Sequence, residues 1–252
     1  MLKNRVIPCL LIKNKGLVKT VRFTEPKYVG DPINAVNIFN EKEVDEIILL
    51  DIAATLEGRE PDYDLISNIA GECFIPLGYG GGVRSQECIR KLFNLGIEKV
   101  VINSYAVENP EFIRIATASF GSQSIVVSID VKRNVWGKYE VCVNGGRKRT
   151  KHDPVIFAQE MEALGAGEIF LNSIDRDGTA QGYDLKLIKL VSEAVNIPVI
   201  ACGGAGKLED FKTAIEAGKA SAVAAGSLFV FQGKHRAVLI SYPSAEALGG
   251  VL

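Results

Sequence analysis

Two aspartates directly follow apolar stretches of this chain and could transfer protons. Asp130 ends the stretch SIVVSI, and Asp177 lies in the segment DRDGT after another such stretch. A carboxylate at the end of a buried strand is costly to desolvate unless it is paired or used in chemistry. We therefore predict that both residues act as catalytic acids or bases. The alternatives are structural, because Asp130 could cap the next loop and Asp177 could form an Asp-Gly turn with Gly178.

Glycines and small polar residues follow four further apolar stretches. Glycine lets backbone N–H groups approach a phosphate closely, and a helix that begins there adds a favourable dipole. Because two such clusters occur in each half of the chain, they predict a substrate with a phosphate at each end. A glycine pair by itself would often only turn the chain. The predicted substrate-binding residues are Gly81, Gly82, Asn103, Ser104, Asp177, Gly178, Gly203, Gly204, Gly226 and Ser227.

Four charged residues precede apolar stretches instead of following them. Arg5, Glu46, Lys99 and Glu168 stand just before the first, second, fourth and sixth stretches. Two positive and two negative charges could form a self-neutralising ring where the strands begin. Taken singly, each would be a solvated residue at the edge of a strand.

Composition argues against several other kinds of site. Two histidines and five cysteines without a C-x-x-C pair disfavour a metal site or a disulfide framework. With 29 basic and 30 acidic side chains, the chain lacks the basic excess of a nucleic-acid-binding module. No apolar stretch approaches the roughly 18 residues of a membrane span, and the N-terminus lacks the core of a secretory signal. We expect a cytoplasmic protein without a metal or cofactor that binds neither nucleic acid nor membrane.

Eight short stretches rich in Val and Ile would position these residues. Each is almost continuously apolar, as strands buried on both faces of a parallel sheet are. Amphipathic segments between them predict helices, which favours a (β/α)8 TIM barrel, an α/β fold, over an open doubly wound sheet. We expect one domain over residues 1–252. The predicted strands lie at 5–11, 46–52, 74–80, 99–104, 124–130, 168–174, 197–204 and 220–227, and the clearest helices at 85–96, 109–121, 153–165, 184–195 and 207–218.

The second half of the chain repeats the first at an offset of about 122–124 residues. LLDI at 49–52 matches LNSI at 171–174, and GYGGG at 78–82 matches CGGAG at 202–206. The offset is too long for a solenoid repeat, so we predict an internal duplication of two half-barrels. The duplication also sets Leu11, at the end of the first strand, against Asp130, at the end of the fifth.

The segment 132–152 departs from the alternation of strands and helices. It contains KYEVCV and the basic sequence GGRKRTK. We predict a small hairpin with a basic loop beside the site, because active sites of this fold lie at the carboxyl ends of the strands. It could cover the substrate or be a solvated basic loop.

Several segments resemble the cyclase subunit of imidazole glycerol phosphate synthase, HisF. They span most of the chain, and they include IPCL at 7–10, LVKT at 17–20, GGGVRS at 80–85, INSYAVENP at 102–110, GSQSIVVSIDVKR at 121–133, GGRKRT at 145–150, LGAGEIFLNSIDRDGTAQGYDL at 164–185 and IPVIACGGAGKLEDF at 197–211. The resemblance implies a HisH-like glutaminase that binds the amino-terminal face and supplies ammonia through the barrel. It also implies that Arg5, Glu46, Lys99 and Glu168 gate the ammonia and that Lys19 lies near a phosphorylated substrate.

The chain departs from this family where the chemistry is expected. HisF carries its second essential carboxylate directly after IPCL, where this chain has Leu11, and it has glycine where this chain has Lys151. The segment 11–32 and FVFQGKHRAVLI at 229–240 are similar to a HisF paralogue linked to acetamidino-sugar formation for surface polysaccharides, including lipopolysaccharide.

Three functions remain open from the sequence. The first is a HisF-like subunit of a glutamine amidotransferase, a lyase or cyclase by family, that uses ammonia on a phosphorylated substrate or relays it to a sugar-modifying ligase. The second is the authentic cyclase subunit of histidine biosynthesis. The third is a non-catalytic partner that only docks and activates the glutaminase.

Overall fold

Eight parallel strands close into a barrel in the computed structural model, which describes residues 4–233 and 235–252. Because β1 pairs with both β2 and β8 and all other neighbours pair in chain order, the sheet has no open edge. The predicted TIM barrel is confirmed, and each predicted apolar stretch contains a strand. The strands are β1 (Arg5–Lys13), β2 (Ile47–Asp51), β3 (Leu77–Gly80), β4 (Lys99–Ile102), β5 (Ile125–Arg133), β6 (Glu168–Ser173), β7 (Val199–Cys202) and β8 (Ala222–Ala225).

Helices surround the barrel, and polar side chains start several of them. Asp31, Ser85, Asp153 and Asp184 each accept a hydrogen bond from a backbone N–H of the first helical turn. The five predicted helices are confirmed. The outer helices are Pro32–Glu41, Tyr63–Gly71, Gln86–Asn94, Glu111–Phe120, Pro154–Ala163, Leu185–Ser192 and Glu209–Glu216; shorter ones are Ala54–Glu57, Ser104–Glu108, Ser227–Val230 and Ala245–Gly249, with a 3-10 turn at Ser122–Ser124.

Apolar side chains fill both the shell and the inside of the barrel. The shell packs helices on strands, with Phe39, Phe157 and Phe211 fully buried there. A separate cluster occupies the barrel interior and includes Ile7, Ile48, Val126, Phe170 and Ile200, with Leu11 and Leu50 half-buried at its edge.

Two antiparallel additions extend the carboxyl end of the barrel. The strands Gly16–Val21 and Thr24–Gly30 form a hairpin on the end of β1, which the sequence analysis did not predict. The strand Tyr139–Val143 pairs with the end of β5 and with Lys148–Arg149, as predicted for the segment 132–152. A small ribbon, Phe231–Gln232 with Ala237–Val238, follows β8.

Each half of the barrel contains, at a matching position, a close backbone contact that requires glycine. Gly81 and Gly203 both have a positive φ, and a Cβ on either would lie 2.5–2.7 Å from a backbone oxygen at the end of the preceding strand, that of Asp51 or Ser173. The two contacts occupy matching positions in the proposed repeat. In the described part of the chain, no helix combines the length and apolar character of a membrane span.

Candidate active site

A cavity of about 670 Å³ opens at the carboxyl ends of the barrel strands. It is the place where (β/α)8 enzymes bind substrates. The cavity brings together every residue that the sequence analysis assigned to catalysis or substrate binding: Leu11, Lys19, Gly81, Gly82, Asn103, Ser104, Asp130, Asp177, Gly178, Gly203, Gly204, Gly226 and Ser227.

Asp130 is buried in the cavity wall. Its Oδ2 accepts a hydrogen bond of 3.2 Å from the Asn103 amide, which also donates to the backbone oxygen of Ser128 at 2.9 Å. Burial raises the pKa of Asp130 to about 7, the charge of Asp177 adds to the rise, and the bond from Asn103 opposes it. A carboxyl with this pKa can both accept and donate a proton near neutral pH.

Asp177 faces the same cavity but is held by the first hairpin. Its Oδ2 accepts a hydrogen bond from the Thr20 hydroxyl at 2.8 Å and another from the Phe23 backbone N–H at 3.2 Å. Burial raises the pKa of Asp177, and these donors together with Lys19 oppose the rise. Gly178 has a positive φ and lies against the backbone of Thr20. The Asp-Gly turn therefore exists, and it presents the carboxylate to the cavity.

Lys19 provides a buried cation in the same cavity, and its charge acts to lower the pKa of Asp177. Its Nζ donates to the backbone oxygen of Cys9 at 2.5 Å, and burial lowers the pKa of Lys19 below its ordinary value. A Cβ on Gly226 would meet this Nζ and would lie 3.0 Å from the backbone oxygen of Cys9, so a side chain there would displace the amine of Lys19. The amine lies beside the cluster predicted to bind one phosphate, and its positive charge suits that role. Phosphate binding itself stays a prediction.

Leu11 occupies the cavity wall without any acidic substitute on its strand end. It pairs with Leu50 on β2 and with Val18 in the first hairpin, and both leucines border the apolar interior cluster. The end of β1 therefore presents an apolar side chain at the position where the resemblance requires a carboxylate.

Arg5, Glu46, Lys99 and Glu168 meet at the amino-terminal end of the barrel. Arg5 lies 2.6 Å from Glu46 and 2.8 Å from Glu168, and Lys99 lies 3.0 Å and 3.2 Å from the same two carboxylates. Cations and anions thus alternate in a closed ring. Glu46 accepts both cations through Oε2, while its buried Oε1 has no hydrogen-bond partner among the described residues. Their role as an ammonia gate stays a prediction.

Comparison with known proteins identifies the family of this barrel. The sequence profile of the family described as histidine biosynthesis protein matches residues 5–236. A relative from Pseudomonas aeruginosa, provisionally named imidazole glycerol phosphate synthase subunit hisF2, is 56% identical over 98% of this chain and 99% of its own length. The chain belongs to the HisF family.

Further HisF relatives cover the chain equally well. A provisionally named hisF3 subunit from Vibrio vulnificus is 50% identical over 97% of this chain and 94% of its own length. The HisF subunit of Hydrogenobaculum sp. is 48% identical over 98% of this chain and 96% of its own length. Membership confirms the predicted resemblance to HisF, and the names hisF2 and hisF3 of two relatives are consistent with a HisF paralogue.

Some contacts of this HisF-family site were missed from the sequence. Thr20 and Phe23 were not predicted as partners of Asp177, because the hairpin that carries them was not recognised. Asp51 follows a strand as Asp130 does, but its carboxylate accepts from the backbone N–H groups of Ala53 and Ala54 and pairs with Arg59 at 2.8 Å. Asp51 therefore has a structural role. Arg59, eight residues later in the sequence, could have indicated this pairing.

Proposed function

We propose that this chain is the ammonia-using subunit of a glutamine amidotransferase whose barrel no longer performs the HisF cyclisation. A HisH-like glutaminase binds the amino-terminal face, and ammonia passes the charged ring and the barrel to the phosphate-binding cavity. There it acts on a phosphorylated substrate or is relayed to a sugar-modifying ligase in acetamidino-sugar formation for surface polysaccharides. The observation that carries this proposal is Leu11 in the cavity wall above an intact charged ring.

The charged ring and the apolar interior of the barrel would favour a small neutral molecule over a charged one. Among the described residues, the ring is held by its own four ion pairs, and the two bonds of Lys99 are longer than those of Arg5. Because a lysine stem is flexible, Lys99 is the member most easily displaced. Beyond the ring the lining is apolar, which favours uncharged ammonia over ammonium.

The loss at Leu11 weighs against an ordinary cyclase. A positioned acid or base contributes about 10²–10⁴ in rate, and a leucine cannot substitute for it. Asp130 and Asp177 still line the cavity with raised pKa values, so they could transfer a proton to a different substrate.

The second candidate function is the authentic cyclase of imidazole glycerol phosphate synthase. It is favoured by Asp130, whose pKa of about 7 suits acid–base catalysis, and by the names of the relatives. In that case the chemistry would run on Asp130 and Asp177 alone.

One pair of substitutions separates these candidates. With ammonium salt and the HisF substrate, we expect the wild-type chain to turn over slowly and Leu11→Asp to raise the rate about 10²-fold or more. Leu50→Asp is the matched control, because it places a carboxylate on the neighbouring strand of the same wall; it should give no gain. Wild-type turnover at the level of a normal synthase would refute the proposal.

The ammonia-relay step needs a separate assay. The chain, its glutaminase and the sugar-modifying ligase are combined with glutamine as the nitrogen source. We expect an amidine product that depends on glutamine and on the chain. An active glutaminase without amidine product would contradict the relay.

A further inference from the structure

The most exposed apolar side chains of the described structure include two neighbours at one hairpin tip. Val135 is 94% exposed and Trp136, the single tryptophan of the chain, is 84% exposed. The tip follows β5, which carries Asp130 into the cavity before it continues outward to Arg133. Val135 and Trp136 therefore project from the carboxyl face, beyond the mouth of the cavity.

Asn134 holds the tip in one conformation. Its side-chain oxygen accepts from the backbone N–H of Trp136 at 2.9 Å and from that of Lys138 at 3.0 Å, and its amide donates to Glu140 at 2.8 Å. Its backbone N–H donates to the oxygen of Lys138 at 2.8 Å. An exposed tryptophan on a loop that is already ordered loses little conformational entropy when a partner binds it.

The base of the hairpin is fixed to the barrel. The guanidinium of Arg133 bonds both Asp184 and the Tyr139 hydroxyl at 2.8 Å, and Tyr139 donates to Asp184 at 2.8 Å. The backbone N–H of Arg133 donates to Asp175 at 2.8 Å. These bonds tie the hairpin to the loop after β6, so the position of Trp136 relative to the cavity is set.

Positive charge is concentrated along this hairpin, from the tip to Arg147 at the cavity, although the chain as a whole is nearly neutral. Residues 132–151 hold seven basic side chains and one acidic one, Glu140, which is paired with Arg149. Among the described residues, no carboxylate oxygen lies within 4 Å of the amine or guanidinium of the exposed cations Lys138, Arg147, Lys148 and Lys151, although the charge of Lys151 helps to lower the pKa of Glu140. Lys151 has a φ of 64°, a conformation that favours glycine, and the chain nevertheless has a lysine there.

We propose that the Val135–Trp136 tip and these four cations form the docking surface for the enzyme that receives ammonia from the barrel. This inference rests on the proposed function. The partner presents an apolar pocket for Trp136 within an acidic surface, because a buried tryptophan is a typical hot spot and opposite charges steer association. Arg147 also lines the cavity, so a protein bound here covers the opening from which ammonia leaves.

The test uses the complex of the full chain with its glutaminase, and the ligase as acceptor. We expect Trp136→Ala and Lys138→Glu each to weaken ligase binding at least tenfold by calorimetry and to reduce glutamine-driven amidine formation at least tenfold. Ligase activity with added ammonium salt and glutaminase turnover in the complex should stay unchanged. Ile156→Ala, which removes a side chain that is 67% exposed on an outer helix, should alter neither quantity.

The outcomes separate this inference from the proposed function. If the wild-type complex does not bind the ligase, or if both variants bind it normally, the docking surface is overturned. If the ligase binds through Trp136 but no glutamine-driven product forms, the relay fails and the docking surface stands. Quenching of Trp136 fluorescence by uridine diphosphate N-acetylglucosamine alone, at sub-millimolar concentration, would assign the tip to a nucleotide sugar and overturn protein docking.

Discussion

Charged side chains have different surroundings at the two ends of the barrel strands. At the amino-terminal end, four charged side chains form ion pairs with one another. Burial lowers the pKa of Arg5, but Glu168 and Glu46 outweigh this effect and the net pKa is raised. At the carboxyl end, Asp130 and Lys19 are buried beside mostly neutral donors and acceptors, and burial moves both pKa values toward neutrality. Paired groups stay charged, whereas unpaired buried groups titrate, and groups that titrate near neutrality are the ones suited to chemistry.

Leu11 sharpens this contrast within the carboxyl end itself. Asp130 and Asp177, both with raised pKa values, line the cavity near the ends of β5 and β6, whereas the ends of β1 and β2 present Leu11 and Leu50. The cavity therefore has no carboxylate at the position of Leu11, where a cyclase of the HisF pattern would have one.

The largest expected effect is on activity, through Asp130 at the carboxyl end of the strands. Asp130→Asn should lower the output of the assembled glutamine-dependent system about 10²–10⁴-fold, because it removes the group that carries the proton. Asp51→Asn is the control: this carboxylate lines the same cavity but is held by Arg59, and we expect a change below tenfold. Unchanged output with Asp130→Asn, at unchanged affinity for a phosphorylated ligand, would instead support a docking-only partner.

The next largest effect is on stability, through the ring of ion pairs at the amino-terminal end. Arg5→Met leaves Glu46 and Glu168 with Lys99 as their remaining cation in the ring, and we expect the free energy of unfolding to fall by about 2–4 kcal/mol. Urea denaturation of the full chain measures it. Arg114→Met breaks the exposed pair with Glu111 and should cost less than about 1 kcal/mol. Equal losses for the two variants would show that the ring is no more than a set of surface pairs.

The pH dependence of stability tests the raised pKa of Asp130 independently of any substrate. Because the pKa of Asp130 is raised to about 7 in the folded chain from an ordinary value of 3.8, its stabilising contribution is present at low pH and is lost between about pH 4 and 7. Between pH 4 and pH 8, the free energy of unfolding of Asp130→Asn should therefore rise by about 1–4 kcal/mol relative to that of the wild-type chain. Unfolding free energies of both chains across this range measure it, and a difference that does not change with pH would contradict the raised pKa.

The smallest effect lies in the hairpin that holds Asp177. Arg22 and Phe23 form its two-residue turn with φ values of 52° and 61°, where asparagine or glycine is preferred. Arg22→Asn should stabilise the chain by up to about 1 kcal/mol, since it relieves the turn and keeps the backbone N–H that donates to Asp177. Arg22→Ala removes the same side chain without relieving φ and should give no gain. Thermal unfolding distinguishes the two.

Most of the fold could be predicted because the barrel strands are buried on both faces and read as apolar stretches. The same pattern placed Asp130, Asp177 and the four ring residues at the correct ends of their strands. The hairpin Gly16–Val21 with Thr24–Gly30 could not be predicted. Arginine and phenylalanine, which form its turn at positions 22 and 23, are not typical of turns, and most of the second strand is exposed. The pairing of Asp51 with Arg59, and of Asp177 with Thr20, depends on side-chain directions that spacing alone does not provide.

The buried Oε1 of Glu46 gives the amino-terminal end of the barrel one acceptor with no donor among the described residues. An orphaned acceptor of this kind is unfavourable until a donor reaches it. Because this oxygen is itself buried, a small uncharged N–H donor reaches it only when a neighbouring side chain moves aside. If the proposed passage of ammonia takes place, the new hydrogen bond to Glu46 would offset part of the cost of that movement.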